Sequence, residues 1–261
     1  MSDLFIALFL GIIQGLTEFL PVSSSGHLAI IQGFIGDKWL GDVLFNVSVH
    51  LGTTLAVVVF FHKDILGLIR GIMPGTYQRQ QGIVVSCILI TTIITGIIGI
   101  LFKESFEAMF SMPRLAAGML IVTGLLTFFT DRITKHEREY GQIRIRDAVT
   151  IGLFQAFAII PGISRSGSTI FAGVLCGMER TWAASYSFIA AIPAIIGAVI
   201  LEWGGSPQPL TWAHIVGGIT SFIVGLISLQ FLVWTLKKHN FFIFSVYCWL
   251  AGVIYLAVSF Y

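Results

Sequence analysis

The sequence predicts an all-α polytopic membrane protein with an inverted-topology repeat, in which each half consists of a re-entrant helix hairpin followed by three transmembrane helices. The chain of 261 residues is 56% hydrophobic and only 11% charged, whereas soluble domains contain about 25% charged residues. Several apolar runs have the length of about 20 residues that crosses a bilayer. Two further apolar segments, one near the start of each half, are interrupted by polar residues, and these interruptions predict the hairpins.

The first half, residues 1–130, is predicted to begin with a re-entrant hairpin at 4–36. Pro21 and the run Ser23-Ser24-Ser25-Gly26 break the helix in the middle of this segment. The apolar piece after the break is too short to cross a bilayer alone. Irregular backbone at membrane depth is tolerated where it is buried in protein or lines a wet cavity. The rest of this half is predicted to form three spans, at 45–61, 83–102 and 114–130.

A charged loop at 131–147 joins the halves, and the second half, 148–261, repeats the plan. Its re-entrant hairpin is predicted at 148–178, with the break at Pro161-Gly162, because proline and glycine together interrupt a helix. The three spans of this half are predicted at 182–202, 213–235 and 241–260.

The distribution of Lys and Arg predicts the orientation of the chain in the membrane. Cytoplasmic loops carry an excess of these residues, and in this arrangement eleven of the 15 lie on one side. The eleven are Lys63, Arg70, Arg79, Arg132, Lys135, Arg138, Arg144, Arg146, Arg180, Lys237 and Lys238. The opposite side holds Lys38, Lys103 and Arg114. The loop at 131–147 is therefore expected in the cytoplasm and the C-terminus outside, so that the two hairpins enter from opposite sides.

The polar residues at the first break recur in the same order and spacing at the second. Gly11, Gln14, Ser23, Ser25 and Gly26 correspond to Gly152, Gln155, Ser164, Ser166 and Gly167, and Ser24 corresponds to Arg165. Chance similarity is the alternative, because small residues are common in membrane helices. Inverted repeats with broken helices place the functional site at the midplane, where the breaks meet. We therefore expect Glu18, Ser24 and His27 to face Arg165.

Each break precedes a helix, and the first backbone N–H groups of a helix attract anions, of which phosphate is the usual example. Arg165 adds a permanent positive charge with a forked shape that suits phosphate oxygens. Two helix ends directed at one place therefore predict binding of an anion with two phosphate groups. The residues expected to bind the substrate are Gln14, Ser23, Ser25, Gly26, Ser164, Ser166, Gly167 and Thr169.

The predicted catalytic residues are Ser24, His27, Glu18 and Arg165. Ser24 and His27 are neighbours on a helical turn, and a serine beside a histidine is the minimal activated nucleophile. Glu18 can orient His27, act as a base or bind a divalent cation. These groups also have a structural interpretation, in which Glu18 and Arg165 form a buried ion pair that locks the hairpins together. His50 is assigned a packing or supporting role.

Two motifs of this chain resemble those of the undecaprenyl-diphosphate phosphatase family, also called the bacitracin resistance protein family. The motifs extend from Gln14 to His27 and from Pro161 to Thr169. The resemblance covers essentially the whole chain, including its length, number of spans and repeat. Some members of the family have Glu where this chain has Gln14, which leaves open whether two carboxylates are needed to hold a metal ion.

The resemblance implies hydrolysis of undecaprenyl diphosphate to undecaprenyl phosphate and inorganic phosphate, which recycles the lipid carrier of peptidoglycan synthesis and confers resistance to bacitracin. It also implies a divalent cation, Mg²⁺ or Ca²⁺, with Glu18 as the candidate ligand. The expected location is the bacterial cytoplasmic (inner) membrane, with the active site open to the periplasm. The expected partners are the polyprenyl diphosphate substrate and membrane lipid, with a homodimer left open and no nucleic acid.

The alternative function is that of a flippase or transporter of a lipid phosphate or organic anion, because broken helices in inverted repeats are typical of transporters. A transporter needs the anion-binding groups but has no need of a nucleophile and a base. Ser24 and His27 beside Arg165 therefore favour the enzyme.

Overall fold

The computed structural model describes residues 3–35, 42–133, 138–203, 210–238 and 240–258. Within these ranges the chain is almost entirely helical, and the only β-type contact is an isolated bridge between Arg138 and Met178. The helices are α1 (Asp3–Thr17), α2 (Ser24–Ile35), α3 (Val43–Phe60), α4 (His62–Ile72), α5 (Arg79–Leu101), α6 (Lys103–Phe110), α7 (Pro113–Arg132), α8 (Ile145–Phe157), α9 (Arg165–Leu175), α10 (Arg180–Trp203), α11 (Trp212–Lys237) and α12 (Phe242–Val258). The prediction of an all-α fold is confirmed.

Among the described helices, five are long and apolar enough to cross a membrane, judged by length and composition. They are α3, α5, α7, α10 and α11. α1 and α12 are apolar but shorter, with 15 and 17 residues. Helices suit the bilayer because they satisfy their backbone hydrogen bonds internally. The fold is therefore that of a multi-pass membrane protein.

Two short helices, α4 and α6, occupy segments that the sequence analysis left as connections between spans. α4 exposes the apolar side chains of Leu66, Ile69 and Ile72, and it also carries Lys63 and Arg70. A short helix that combines an apolar face with basic residues is typical of the membrane–water interface. The apolar residues of α4 recur at helical spacing, but so short a pattern is hard to recognise between the longer apolar runs of the spans.

The chain is irregular between α1 and α2 and between α8 and α9. Ser23, the residue before α2, has a φ of 67°, and Pro21 lacks the N–H group that a continuous helix would need. The second break contains Gly162, with a φ of 94°. A Cβ atom on Gly162 would lie 2.0 Å from Ala116 O in α7. Only glycine allows this turn to adopt its backbone conformation and to pack against α7.

Small residues bring the helices around the breaks into close contact. α11 packs along both α1 and α3, α5 packs along α8, and α12 packs along α7. A Cβ atom on Gly52 of α3 would lie 2.2 Å from Gly218 O of α11, a close approach that is typical of small residues in membrane helices. The main buried cluster includes Phe19, Tyr186 and Phe188, so the core lies beside the first break.

Candidate active site

The two helix breaks lie against each other. Ser23 Oγ donates a hydrogen bond to Ile163 O, and Ser166 Oγ donates one to Leu20 O, both at 3.3 Å. Each break thus provides a serine hydroxyl to a backbone carbonyl of the other. The first turns of α2 and α9 are thereby brought together, although they are separated by more than half of the chain.

The N-termini of α2 and α9 are capped in the same way. At α2, Ser23 Oγ accepts a hydrogen bond from Gly26 N at 3.3 Å. At α9, Ser164 Oγ accepts one from Gly167 N at 3.1 Å. Such a cap satisfies one of the N–H groups that the first turn of a helix leaves unpaired, and the N–H groups before it still have no intrahelical partner. Both helix ends therefore keep donors that suit an anion.

The other predicted binding hydroxyls differ in their surroundings. Ser25 Oγ and Ser166 Oγ lie 3.3 and 3.1 Å from the hydroxyl of the capping serine of the same helix. Thr169 Oγ1 donates to Arg165 O at 2.7 Å and lies 2.5 Å from Ser187 Oγ in α10. The hydroxyl of Thr169 is therefore engaged in the packing of α9 against α10, whereas Ser25 and Ser166 remain at the breaks.

Glu18 is the centre of the polar contacts at the first break, and only 8% of its surface is exposed. Its Oε1 accepts a hydrogen bond from Arg165 Nη2 at 2.5 Å. Its Oε2 accepts hydrogen bonds from Ser24 Oγ at 2.6 Å and from Gln14 Nε2 at 3.0 Å. One carboxylate thus connects residues of α1, α2 and α9. The structure brings together Glu18, Ser24 and Arg165, three of the four predicted catalytic residues.

Arg165, the first residue of α9, has a donor that no group in the described ranges uses. Nη2 is bonded to Glu18, whereas Nη1 is buried and has no hydrogen-bond partner among the described residues. Leaving a buried donor unpaired costs about 1–3 kcal/mol, and more for a charged group. Arg165 is therefore suited to bind an oxygen atom of an anionic ligand at Nη1 while it remains paired with Glu18.

His27, the fourth predicted catalytic residue, does not contact Ser24 in the way that their spacing suggested. Its Nδ1 lies 2.8 Å from Ser23 O, and its Nε2 lies 2.7 Å from the hydroxyl oxygen of Tyr247 in α12. Both ring nitrogens are thus engaged, while Ser24 Oγ donates to Glu18. Of the two bases that the sequence analysis considered for Ser24, the geometry favours Glu18 over His27.

His50 lies closer to the site than a packing role requires. Its Nε2 is 3.8 Å from Glu18 Oε2, and its Nδ1 is 2.8 Å from Asn46 O. Because a carbonyl oxygen can only accept, Nδ1 donates to Asn46 O, and Nε2 is the ring nitrogen that faces Glu18. His50 is therefore part of the surroundings of Glu18.

The residues around Glu18 could supply part of the coordination of a divalent cation. Mg²⁺ is usually bound by one or two carboxylates together with substrate phosphates. Glu18 supplies one carboxylate, and Gln14 Oε1 is a buried oxygen without a hydrogen-bond partner in the described part of the chain. Across the described ranges, no group of three or more His, Cys, Asp and Glu side chains could hold a metal ion by itself. Phosphate oxygens would have to complete the coordination.

Tyr247 is the site residue that the sequence analysis missed. Its ring stacks on that of His27, with a centroid distance of 5.6 Å and an interplanar angle of 11°. Tyr247 lies near the start of an apolar helix, and tyrosine is enriched where such helices meet the membrane interface, so no local signal distinguishes it. Only the packing of α12 brings it to α2.

Within the described ranges the chain is helical and has several helices of membrane length. Its two helix breaks meet at a buried carboxylate–guanidinium pair. Together these features define an integral membrane protein with an intramembrane polar site. Such buried charges usually mark function. The chain belongs to the family of the bacitracin resistance protein BacA, whose family model matches residues 7–254. The resemblance noted in the sequence is confirmed.

Individual relatives are similar over nearly their whole length. The chain is 41% identical to an undecaprenyl-diphosphatase of Syntrophotalea carbinolica, over 97% of this chain and 98% of the relative. It is 37% identical to an undecaprenyl-diphosphatase of Halothermothrix orenii, over 98% of each chain. A third relative of the same name, from Methanobrevibacter smithii, is 35% identical over 97% of this chain and 96% of its own.

Proposed function

We propose that the protein is a membrane-embedded undecaprenyl-diphosphatase, which hydrolyses undecaprenyl diphosphate to undecaprenyl phosphate and inorganic phosphate. Membership of the bacitracin resistance protein family and the names of the relatives support this reaction. The product is the lipid carrier that peptidoglycan synthesis reuses. Removal of the diphosphate lipid, to which bacitracin binds, confers resistance to that antibiotic. The observation that carries the proposal is the contact of Glu18 with both Arg165 and Ser24.

The substrate's diphosphate binds where the first turns of α2 and α9 meet. Arg165 Nη1 is the buried donor that remains for a phosphate oxygen, and the backbone N–H groups of both helix ends add further donors. The polyprenyl tail lies against apolar helix surfaces or in lipid. Phosphoryl transfer depends mostly on positioning and on stabilisation of negative charge, which this arrangement of donors supplies.

In the first step, Ser24 Oγ attacks the terminal phosphorus. Its proton passes to Glu18 Oε2, to which Ser24 already donates at 2.6 Å. The bond between the terminal phosphorus and the bridging oxygen breaks, and undecaprenyl phosphate leaves. Arg165 stabilises the charge on the phosphoryl oxygens, and one such donor is commonly worth about 100-fold or more in rate.

In the second step, water attacks the phosphorus of the phosphorylated Ser24. The bond between phosphorus and Ser24 Oγ breaks, Oγ regains the proton that Glu18 took up, and inorganic phosphate leaves. The proton released by the water passes to His27, whose Nε2 is the ring nitrogen that can accept it. This assignment uses each of the four predicted catalytic residues.

A divalent cation, Mg²⁺ or Ca²⁺, belongs to the proposal as a group held by Glu18, by Gln14 Oε1 and by the substrate. When bound, it would neutralise part of the charge of the diphosphate. Gln14 would then orient Glu18 through Nε2 and offer Oε1 as a neutral ligand.

We place the protein in the bacterial inner membrane with the site open to the periplasm, as the distribution of Lys and Arg and the family's substrate support. In this orientation α6 lies outside, whereas the loop before α8 is cytoplasmic. In a variant without native cysteines, single cysteines at Glu104 and Glu139 should differ in their accessibility from outside intact cells. Equal labelling would contradict the orientation. That the protein forms a homodimer and that it binds particular lipids remain predictions.

The purified protein in detergent should release inorganic phosphate from a long-chain polyprenyl diphosphate. Folded Glu18→Gln protein, which keeps the size of the side chain but loses the charge, should release almost none. A transporter would still bind the lipid without hydrolysing it. Folded wild-type protein that moves labelled lipid across a vesicle bilayer, but releases no phosphate, would contradict the proposed enzyme.

A further inference from the structure

α12 contributes one polar side chain to the site through Tyr247. The hydroxyl oxygen of Tyr247 lies 2.7 Å from His27 Nε2, and the two rings are stacked. α2 and α12 both pack against α7, which brings the two side chains together. Tyr247 is 45% exposed, so this side chain is not sealed inside the helix bundle.

The direction of these hydrogen bonds follows from the partners of His27. Ser23 O, at 2.8 Å from Nδ1, can only accept, so Nδ1 carries the hydrogen. In the neutral ring the lone pair is therefore on Nε2, and Tyr247 donates its hydroxyl hydrogen to it. The backbone carbonyl fixes the tautomer and orientation of the ring, and Tyr247 occupies the one nitrogen that can take up a proton.

We propose that Tyr247 is a further catalytic residue, whose hydroxyl relays a proton from the attacking water to His27. As water attacks the phosphorus of phosphorylated Ser24, its proton passes to the Tyr247 oxygen, and the hydroxyl hydrogen of Tyr247 passes to His27 Nε2. The tyrosine ends neutral, His27 becomes protonated, and Ser24 Oγ leaves with the proton from Glu18. This inference rests on the proposed function and adds to it the route to His27.

A hydroxyl group is required for this role because it can donate to one atom while it accepts from another. Ser24 and His27 lie three residues apart in the first turn of α2, where side chains are neighbours. Ser24 and His27 are not hydrogen-bonded to each other, but a phosphoryl group on Ser24 extends from the same turn of α2, and the relay places the attacking water between that group and the Tyr247 hydroxyl. A tyrosine that only packed against His27 would need just its ring, which stacks on the imidazole.

Tyr247→Phe separates these two roles, because it keeps the stacked ring and removes the hydroxyl. Phosphate release by folded protein should fall about 10- to 100-fold in kcat, the lower part of the range for general acid–base catalysis, with little change in KM. Tyr77→Phe is the matched control. Tyr77 is 64% exposed in the connection between α4 and α5, and its substitution should leave turnover unchanged. Wild-type turnover of Tyr247→Phe would overturn the proposal.

A double-mutant cycle with His27→Ala tests whether Tyr247 acts through His27. The relay predicts that Tyr247→Phe has almost no further effect in protein that already carries His27→Ala. Two independent, multiplying losses of kcat would overturn the relay. Full activity of His27→Ala would overturn it as well, since the proton would then have no acceptor.

Acid quench of Tyr247→Phe during turnover tests the step that is affected. If the second step is slowed, phosphoserine should accumulate at Ser24 after a burst of undecaprenyl phosphate. A non-additive cycle without phosphoserine would contradict the serine nucleophile of the proposed function, and it would assign the relay through Tyr247 and His27 to water that attacks the substrate directly. Failure of the inference and failure of the proposed function are thereby distinguishable.

Discussion

Arg165 Nη2 lies 2.5 Å from Glu18 Oε1, although the two residues belong to different halves of the chain. The pair connects the two helix breaks and sits next to Ser24, the proposed nucleophile. An ion pair in this position could serve only to hold the two helix breaks together, or it could also hold Arg165 ready for the diphosphate. Arg165 Nη1 has no hydrogen-bond partner within the described part of the chain, which favours the second interpretation, and substitution can separate the two.

We expect Arg165→Lys to lower phosphate release about 100-fold or more, the effect typical of losing a donor to a developing oxyanion, while the protein still folds. Lysine keeps the charge but has no planar fork that binds Glu18 and a phosphate oxygen at once. Phosphate release and the melting temperature in detergent should be measured together. Arg70→Lys, on exposed α4, is the control and should behave like wild type. Near-normal turnover of folded Arg165→Lys would mean that the pair is structural.

Two adjacent serines provide a matched test of the nucleophile. Ser24→Ala should lower turnover by about 1,000-fold or more, as removal of a nucleophile does. Ser25 contacts the capping hydroxyl of Ser23, and Ser25→Ala should cost less than about tenfold, the value of one hydrogen bond. The measurement is phosphate release by folded preparations.

The outcome also discriminates between nucleophiles. If Ser24→Ala keeps more than roughly a tenth of wild-type turnover while His27→Ala abolishes it, a serine nucleophile is wrong. Attack by His27 itself, or by water activated by Glu18 and a metal ion, would then take its place.

The turn at Gly162 should be intolerant of any side chain. Gly162→Ala places a Cβ atom 2.0 Å from Ala116 O at a φ of 94°, and we expect a loss of about 2 kcal/mol or more in the free energy of unfolding. Gly96→Ala in α5 is the control, because nothing lies within 4 Å of its Cβ position. That substitution should be neutral or stabilise by up to about 1 kcal/mol. Thermal unfolding in detergent measures both, and an equal melting temperature for the two variants would contradict the described turn.

Gln14→Glu should make the stability of the protein depend on divalent cations. Gln14 Nε2 donates to Glu18 Oε2 at 3.0 Å, and a second carboxylate there would repel Glu18 unless a cation lies between them. The melting temperature of Gln14→Glu should therefore fall in EDTA and recover with Mg²⁺ or Ca²⁺, by more than that of wild type. Gln155→Glu is the control, because Gln155 donates to Thr95 instead, and its loss of stability should not respond to cations. Equal responses of the two variants would argue against cation binding at Glu18.

Much of the site could be predicted from sequence because its signals are local. Pro21 and the Ser-Ser-Ser-Gly run interrupt a helix wherever they occur in an apolar segment. Charged residues such as Glu18 and Arg165 are costly in a membrane and therefore conspicuous. The all-helical fold follows from apolar runs of membrane length, since helices are the way to satisfy the backbone in lipid.

The tertiary structure alone decided which partner each of these side chains has. The spacing of Ser24 and His27 suggested a pair, yet Ser24 donates to Glu18, and His27 is held by Ser23 O and Tyr247. Thr169 shares its motif with the site residues, but its hydroxyl contacts α10. A periodic pattern shows which residues share a helix face. Which distant helix covers that face depends on the packing of small residues across the bundle, and this is not encoded in any one segment.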